Sequence, residues 1–156
     1  MLFRSQDSEG LGMQILNRAY YKFHSKSSSA YGIGNIKGKD IIFYIKTSNM
    51  DAADSDSYNS NVLIVDGKQT ALPPVYMTHP FGIDKNWIIQ DTESMVDLTF
   101  TPRSLCSRLI NIIFFRRSYT SLYGTFDGVI MDSKEQKYNL KNFPGVISRS
   151  FLRTLI

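Results

Sequence analysis

In VDLTFTP, residues 96–102, apolar and polar side chains alternate. Successive side chains of a β-strand point to opposite faces, so the two kinds of residue separate onto two faces. The apolar face carries Val96, Leu98 and Phe100, and the polar face carries Asp97, Thr99 and Thr101. Pro102 predicts the end of this strand, because proline cannot donate a ladder hydrogen bond. The alternation alone leaves open whether the polar face meets water or lines a pocket.

Most of the remaining sequence consists of short apolar or alternating segments separated by turn residues. In VLIVDGKQTAL, residues 62–72, the pair Asp66-Gly67 predicts a tight type I′ hairpin. Pro73 and Pro74 mark a strand start or a sheet edge. DTES at residues 91–94 and SKEQ at residues 133–136 suit turns, and KSSS at residues 26–29 is interpreted as a break. About eight to ten strands follow from this pattern.

Helix signals are confined to the two ends of the chain. SEGLGMQILNRAY (residues 8–20) and VISRSFLRTLI (residues 146–156) have spacing compatible with short amphipathic helices. We therefore predict an all-β fold, an antiparallel lipocalin- or calycin-like β-barrel or half-open barrel with one or two short terminal helices. Residues 1–156 form a single domain in this prediction, with residues 1–17 as a flexible or helical lead-in.

Two segments are apolar throughout, IIFYI at residues 41–45 and LINIIFF at residues 109–115. Such a strand has both faces buried, as between a barrel wall and a helix, or it turns one face to an apolar cavity. A closed barrel of about eight strands has room for one small ligand. The sequence therefore allows an internal binding cavity without requiring one.

Composition describes an ordinary soluble globular chain with an unusual share of aromatics. Of the 156 residues, 42% are hydrophobic and 21% charged, and the aromatic share of 13% favours strands. The single cysteine excludes an internal disulfide, and with only two histidines a structural zinc site lacks its ligands. A net charge of +4 is too mild and too scattered to indicate nucleic-acid binding. We expect no metal and no cofactor.

No signal peptide is visible, and the longest apolar run is far shorter than a membrane-spanning helix requires. A cytoplasmic location follows by default, with no membrane span.

Candidate site residues fall into two groups. Asp97 and Asp127 lie within otherwise apolar strands, so either is a candidate general acid if its face is dry, and an ordinary exposed carboxylate if it is not. The candidate ligand-binding residues are aromatic side chains of the strands and polar residues of the loop before residue 62: Trp87, Tyr44, Tyr58, Asn61, Phe114, Tyr123 and Phe126.

Three blocks of the sequence resemble a known family in their order and spacing. They are SDSYNSNVLIVDGKQTAL (residues 55–72), NWIIQDTESMVDLTFTP (residues 86–102) and YGTFDGVIMDSKEQKYNLKNFPGVI (residues 123–147). Together they resemble the C-terminal half of the twenty-eight-oh-four domain-of-unknown-function family. The resemblance implies a lipocalin-like or calycin-like barrel, distantly similar to the carotenoid hydratases called hydroxyneurosporene synthases. Ser60 and Asn142 replace acidic residues of the family pattern.

Three functions remain open from the sequence. The leading one is a non-catalytic domain that binds a hydrophobic, lipid-like or isoprenoid-like small molecule. The first alternative is a hydratase or isomerase of an isoprenoid-type substrate, with Asp97 or Asp127 as the acid. The second is a structural domain without ligand that pairs with itself or with a partner barrel.

Overall fold

The computed structural model describes residues 12–15, 22–49 and 59–154. Within those ranges the chain forms nine strands and no helix. Every pair of neighbouring strands is antiparallel. The strands are β1 (His24–Ile36), β2 (Lys39–Ser48), β3 (Val62–Val65), β4 (Lys68–Ala71), β5 (Val75–Thr78), β6 (Trp87–Asp91), β7 (Val96–Ile112), β8 (Phe115–Met131) and β9 (Lys137–Thr154).

The nine strands form one sheet in the order β4-β3-β2-β1-β9-β8-β7-β6-β5. The edge strand β5 also contacts β2, so the sheet curls round on itself into a half-barrel. This architecture confirms the predicted all-β, antiparallel, half-open barrel. We call the end that carries the turns at residues 37–38, 66–67 and 132–136 the closed end. The opposite end, which carries the turn at residues 113–114, is the open end.

The sheet does not form a complete barrel, because its two edge strands run in the same direction and do not pair with each other. An odd number of antiparallel strands leaves β4 and β5 parallel, and only residues 72–74 join them. Parallel neighbours need a crossover of about a dozen residues or more, so these two strands cannot pair through this connection. Pro73 and Pro74 occupy it directly before the edge strand β5, where the sequence predicted a strand start or an edge.

Asn61 holds this connection in place. Its side chain is 4% exposed, and its Nδ2 donates to the carbonyl oxygen of Pro73 at 2.8 Å. Its Oδ1 accepts from the backbone N–H of Lys46 at 2.8 Å. One buried amide therefore ties β2 to the chain that links the two sheet edges.

The alternating stretch of β7 has its apolar face in the core and its polar face toward solvent. Val96, Leu98 and Phe100 are buried, whereas Asp97 and Thr101 are exposed. The polar face of VDLTFTP therefore meets water and does not line a pocket.

Phenylalanine side chains fill the interior of the closed end. The ring centroids of Phe126 lie 5.0 Å from Phe43 and 4.7 Å from Phe100, and Phe143 stacks 6.1 Å from Phe43. Gly32 makes this packing possible, because a Cβ there would lie 2.5 Å from the Phe43 ring. Interlocked rings therefore occupy this half of the barrel.

The tight turns of the closed end follow the expected chemistry. Asp66 and Gly67 have φ of 48° and 77°, which confirms the predicted type I′ hairpin between β3 and β4. Lys37 and Gly38 repeat the arrangement between β1 and β2, with φ of 52° and 83°.

The prediction for residues 109–115 was wrong. β7 does not end at Pro102 but passes through a bulge between Pro102 and Ser104 and continues to Ile112. Because β6 pairs with β7 only across residues 97–100, no described strand covers the remainder of β7 on that side. LINIIFF therefore forms the exposed end of the β7–β8 hairpin, neither a buried strand nor a cavity wall.

Two further predictions need correction. VISRSFLRTLI is not helical in its described part, because residues 146–154 belong to β9, whose hydrogen bonds to β1 and β8 replace those of a helix. KSSS is not a break but part of β1. The predicted N-terminal lead-in lies mostly outside the described residues, and residues 12–15 have no regular structure.

Candidate functional site

A groove begins where the packed interior of the half-barrel ends. The last fully buried row of cross-strand partners consists of Ala30, Ile45, Leu122 and Ile147. Side chains two residues further along each strand face the same side of a sheet. That next row, toward the open end, consists of Ser28, Thr47, Thr120 and Arg149. The concave face of the sheet thus changes from apolar to polar within one row.

The groove has a volume of about 530 Å³. Its walls come from β1, β2, β8 and β9 and from the loop between β5 and β6. The lining residues are Lys26, Ser27, Ser28, Thr47, Ser48, Asn49, Ile83, Ser118, Thr120, Arg149, Ser150 and Phe151. Hydroxyl groups, two cations and two apolar side chains thus share one surface, and the described lining contains no carboxylate.

Two cationic side chains give the groove its charge. The guanidinium of Arg149 lies over the Trp87 ring at 5.8 Å, and Nζ of Lys26 lies 6.0 Å from the Phe151 ring centroid. Neither cation forms an ion pair with a described carboxylate, since the ion pair among the described residues joins Lys85 to Asp84. The positive charges therefore rest on aromatic faces, where the ring quadrupole attracts them but does not neutralise them.

Trp87 lies behind Arg149 in the wall of the half-barrel. The indole is 1% exposed, and its Nε1 donates to the carbonyl oxygen of Ile83 at 3.0 Å. The ring of His79 lies 4.5 Å away, tilted by 48°. Trp87 therefore connects the groove, through Arg149 and Ile83, with the loop between β5 and β6.

Among the predicted ligand-binding residues, Trp87 alone of those described adjoins the groove. Phe126 belongs to the closed-end core, and the side chain of Asn61 is hydrogen-bonded to the backbone of Lys46 and Pro73. Phe114 is exposed at the hairpin tip. Tyr58 lies outside the described residues.

Tyr44 and Tyr123 lie on the convex face of the sheet. Tyr44 is the cross-strand partner of Tyr31, which lies in the same row as Tyr123. Burial raises the pKa of Tyr31, and the neighbouring Tyr119 and Tyr123 raise it further. These tyrosines form a cluster on the opposite side of the sheet from the groove.

The two candidate acids do not face the interior. Asp97 is exposed, and its Oδ1 accepts from Nε2 of Gln90 at 3.0 Å. Asp127 is half-buried at a bulge in β8, where its Oδ1 accepts from the backbone N–H of Asn142 at 2.9 Å. Neither carboxylate lines the groove.

The described part of the chain contains no cluster of three or more His, Cys, Asp or Glu side chains that could hold a metal ion. No helix formed by the described residues is long and apolar enough to cross a bilayer.

The sequence interpretation missed the residues that line the groove. Lys26 and Ser28 were assigned to a break, and Arg149 and Phe151 to a helix. A signal was present, because KSSSA places Lys26, Ser28 and Ala30 at alternate positions. ISRSF likewise alternates Ile147, Arg149 and Phe151 with serines. Period-two alternation with serine on the second face predicts a strand at both places.

The model of a family described as Domain of unknown function (DUF2804) matches residues 4–153. Neither a curated protein nor a solved structure matches the chain.

Proposed function

The chain belongs to the DUF2804 family of domains of unknown function, and we propose that it is a small-molecule-binding domain whose groove takes a lipid-like anion. The observation that carries the proposal is the pair of cations, Lys26 and Arg149, without a carboxylate partner among the described residues. They lie in a groove whose volume of about 530 Å³ is in the range of small-molecule sites.

The groove, and not the closed end, offers space for a ligand. Interlocked phenylalanine rings fill the closed end, so a molecule held there would have to displace core side chains. The lipid-like ligand suggested by the sequence is therefore accommodated one row further out, where apolar and polar surfaces meet.

The positive charge of the groove favours a ligand whose polar end is negatively charged. Ser28 and Arg149 are cross-strand partners, as are Lys26 and Phe151, so the two cations are diagonal neighbours on one face. The Cα atoms of such neighbours are roughly 7–8 Å apart, so two long side chains can both reach a single carboxylate or phosphate. The hydroxyls of Ser28 and Thr47 supply further donors around this position.

Apolar surface receives the remainder of the ligand. Ile83 and Phe151 are the apolar side chains that line the groove. A ligand with an anionic head and an apolar body satisfies both parts of the surface, whereas a purely hydrophobic molecule leaves the two cations without a partner. No chemical step is assigned to the site, because neither Asp97 nor Asp127 reaches it.

Trp87 provides the measurement, since it is the single tryptophan of the chain and contacts Arg149. We expect its fluorescence to change on titration with oleate, and oleyl alcohol, which has the same apolar body without the charge, to bind at least tenfold more weakly. A hydrogen bond to a charged group contributes about 1.5 to 3 kcal/mol, which corresponds to roughly 10- to 100-fold in affinity.

Arg149→Ala tests the role of the charge. The variant is expected to lose about tenfold or more in affinity for oleate while its affinity for oleyl alcohol stays the same. Lys141→Ala is the matched control, because Lys141 is an exposed cation of the same strand β9 near the closed end. Equal oleate affinity in the Arg149 and Lys141 variants would contradict the proposal, as would equal affinity of the unmodified protein for both probes.

A further inference from the structure

The tip of the β7–β8 hairpin is apolar where a tight turn is ordinarily polar. Residues 113–114 form a two-residue connection between Ile112 and Phe115, which are cross-strand partners. Ile112, Ile113 and Phe114 are 63%, 82% and 63% exposed. Three large apolar side chains therefore project into solvent from one turn, which is unfavourable for a surface that meets only water.

Turn geometry does not account for these residues. The comparable turns at the closed end use Lys37-Gly38 and Asp66-Gly67, as two-residue hairpins prefer. Isoleucine and phenylalanine have no such preference, and neither Ile113 nor Phe114 has a positive φ. The formation of the hairpin therefore does not explain why the residues at its tip are apolar.

Arginines surround the base of this tip. Arg116 and Arg117 lie two and three residues beyond Phe114, which at about 3.4 Å per residue places them roughly 7 and 10 Å from the turn. Arg153 of β9 is the direct cross-strand partner of Arg116. Like charges directly opposite each other destabilise a sheet unless an anion lies near them.

We propose that the hairpin tip docks on the surface of an anionic lipid bilayer. Ile112, Ile113 and Phe114 enter the region below the headgroups, while Arg116, Arg117 and Arg153 contact the negative headgroups. The distance between tip and arginines matches the depth of about 5–10 Å at which interfacial protein segments bury their apolar side chains. Each basic residue near an anionic leaflet adds to the attraction.

The charge around the hairpin tip favours a lipid surface over a second copy of the chain as the partner that covers the tip. From Leu98 to Phe126 the sequence contains no acidic residue, and β9 contains none either. Two copies paired through these hairpins would bring their arginines together without a compensating carboxylate. An anionic bilayer supplies the missing charge and covers the apolar tip in one contact. Residues 112–114 do not line the groove.

Vesicle flotation tests the inference. The full chain is mixed with vesicles of phosphatidylcholine alone, or with vesicles that contain about 30% phosphatidylserine, at low and high salt. We expect binding to the phosphatidylserine vesicles, weakened by salt, and at least tenfold weaker binding to phosphatidylcholine alone. The double variant Ile113→Ser/Phe114→Ser is expected to lose at least tenfold in binding to the anionic vesicles.

Phe81→Ser is the matched control, because Phe81 is 79% exposed in a different loop and its replacement should leave vesicle binding unchanged. The inference is overturned if the unmodified protein does not float with anionic vesicles, or if the tip variant floats equally well. It is also overturned if sedimentation shows a dimer that the tip variant abolishes while vesicles remain unbound, since a second copy would then cover the tip. Oleate titration of the tip variant separates this test from that of the groove, since its oleate affinity should be unchanged.

Discussion

The two ends of the half-barrel are built from the same long strands but differ in what fills the concave face. At the closed end, phenylalanine rings pack against one another and against glycines, and the tight turns contain residues with positive φ. At the open end, the concave face carries hydroxyls and cations, and the hairpin tip is apolar and exposed. The closed end is therefore a packed core, whereas the open end leaves both polar and apolar side chains accessible to solvent.

The largest expected effect comes from removing a ring at the closed end. Phe126→Ala should lower the free energy of unfolding by about 3 to 5 kcal/mol, because Phe126 is fully buried against Phe43 and Phe100. Phe114→Ala at the open end should change it by less than about 0.5 kcal/mol. Urea unfolding measures both variants, and similar losses would show that the two ends contribute equally to stability.

Removing the amide that holds the connection between the sheet edges should have an intermediate effect. Asn61→Ala leaves the buried carbonyl of Pro73 and the N–H of Lys46 without this partner. We expect a loss of about 1 to 3 kcal/mol in the free energy of unfolding. Ser60→Ala, at the exposed neighbouring position, should be nearly neutral in the same urea titration. A neutral Asn61 variant would show that the edges are held together by packing alone.

A smaller effect is expected from the turns themselves. Gly67→Ala puts a Cβ at φ of 77° and should cost about 1 to 2 kcal/mol. Ile113→Ala, in a two-residue turn without positive φ, should cost less than about 0.5 kcal/mol. Thermal unfolding measures both variants, and equal shifts in melting temperature would mean that the apolar tip contributes to stability as the closed-end turns do.

The smallest effect is a pH dependence at the closed-end turn of residues 132–136. Burial acts to raise the pKa of Asp132, but hydrogen bonds outweigh it and hold the pKa below its usual value. They come from the N–H groups of Lys134 and Gln136 at 2.8 and 3.0 Å and from the hydroxyl of Tyr138 at 3.2 Å. A lowered folded-state pKa stabilises the fold above the unfolded-state value of about 3.9, and this contribution disappears as pH falls through the folded-state value.

Asp132→Asn measures this contribution. The melting temperature of the unmodified protein should exceed that of the variant near neutral pH, and the difference should vanish under acid conditions. A difference that stays constant with pH would mean that the carboxylate charge is not the source of the stabilisation. No corresponding loss on acidification is expected from Phe114→Ala, which removes no ionisable group.

The fold was predictable where local alternation coincided with turn chemistry. VDLTFTP, the Asp66-Gly67 hairpin and the edge position of Pro73 and Pro74 were each visible in the sequence, because strand period and turn type depend on neighbouring residues. The family was also recognisable from the order of three sequence blocks.

The groove was not predictable in the same way. Lys26 on β1 and Arg149 on β9 are separated by most of the chain and become neighbours only through the pairing of their strands. The exposure of residues 109–115 likewise depends on β6 ending its pairing at Phe100. The sequence of an apolar segment does not show whether another strand covers it in the folded protein.

Alternating strands and their turn types could thus be predicted from the amino-acid sequence, because both depend on residues that are neighbours in the chain. The pairing of distant segments, in contrast, leaves part of the concave face unfilled and residues 109–115 without a covering strand. Both depend on how far each strand extends beyond its partner, and that length depends on hydrogen bonds between segments far apart in the chain.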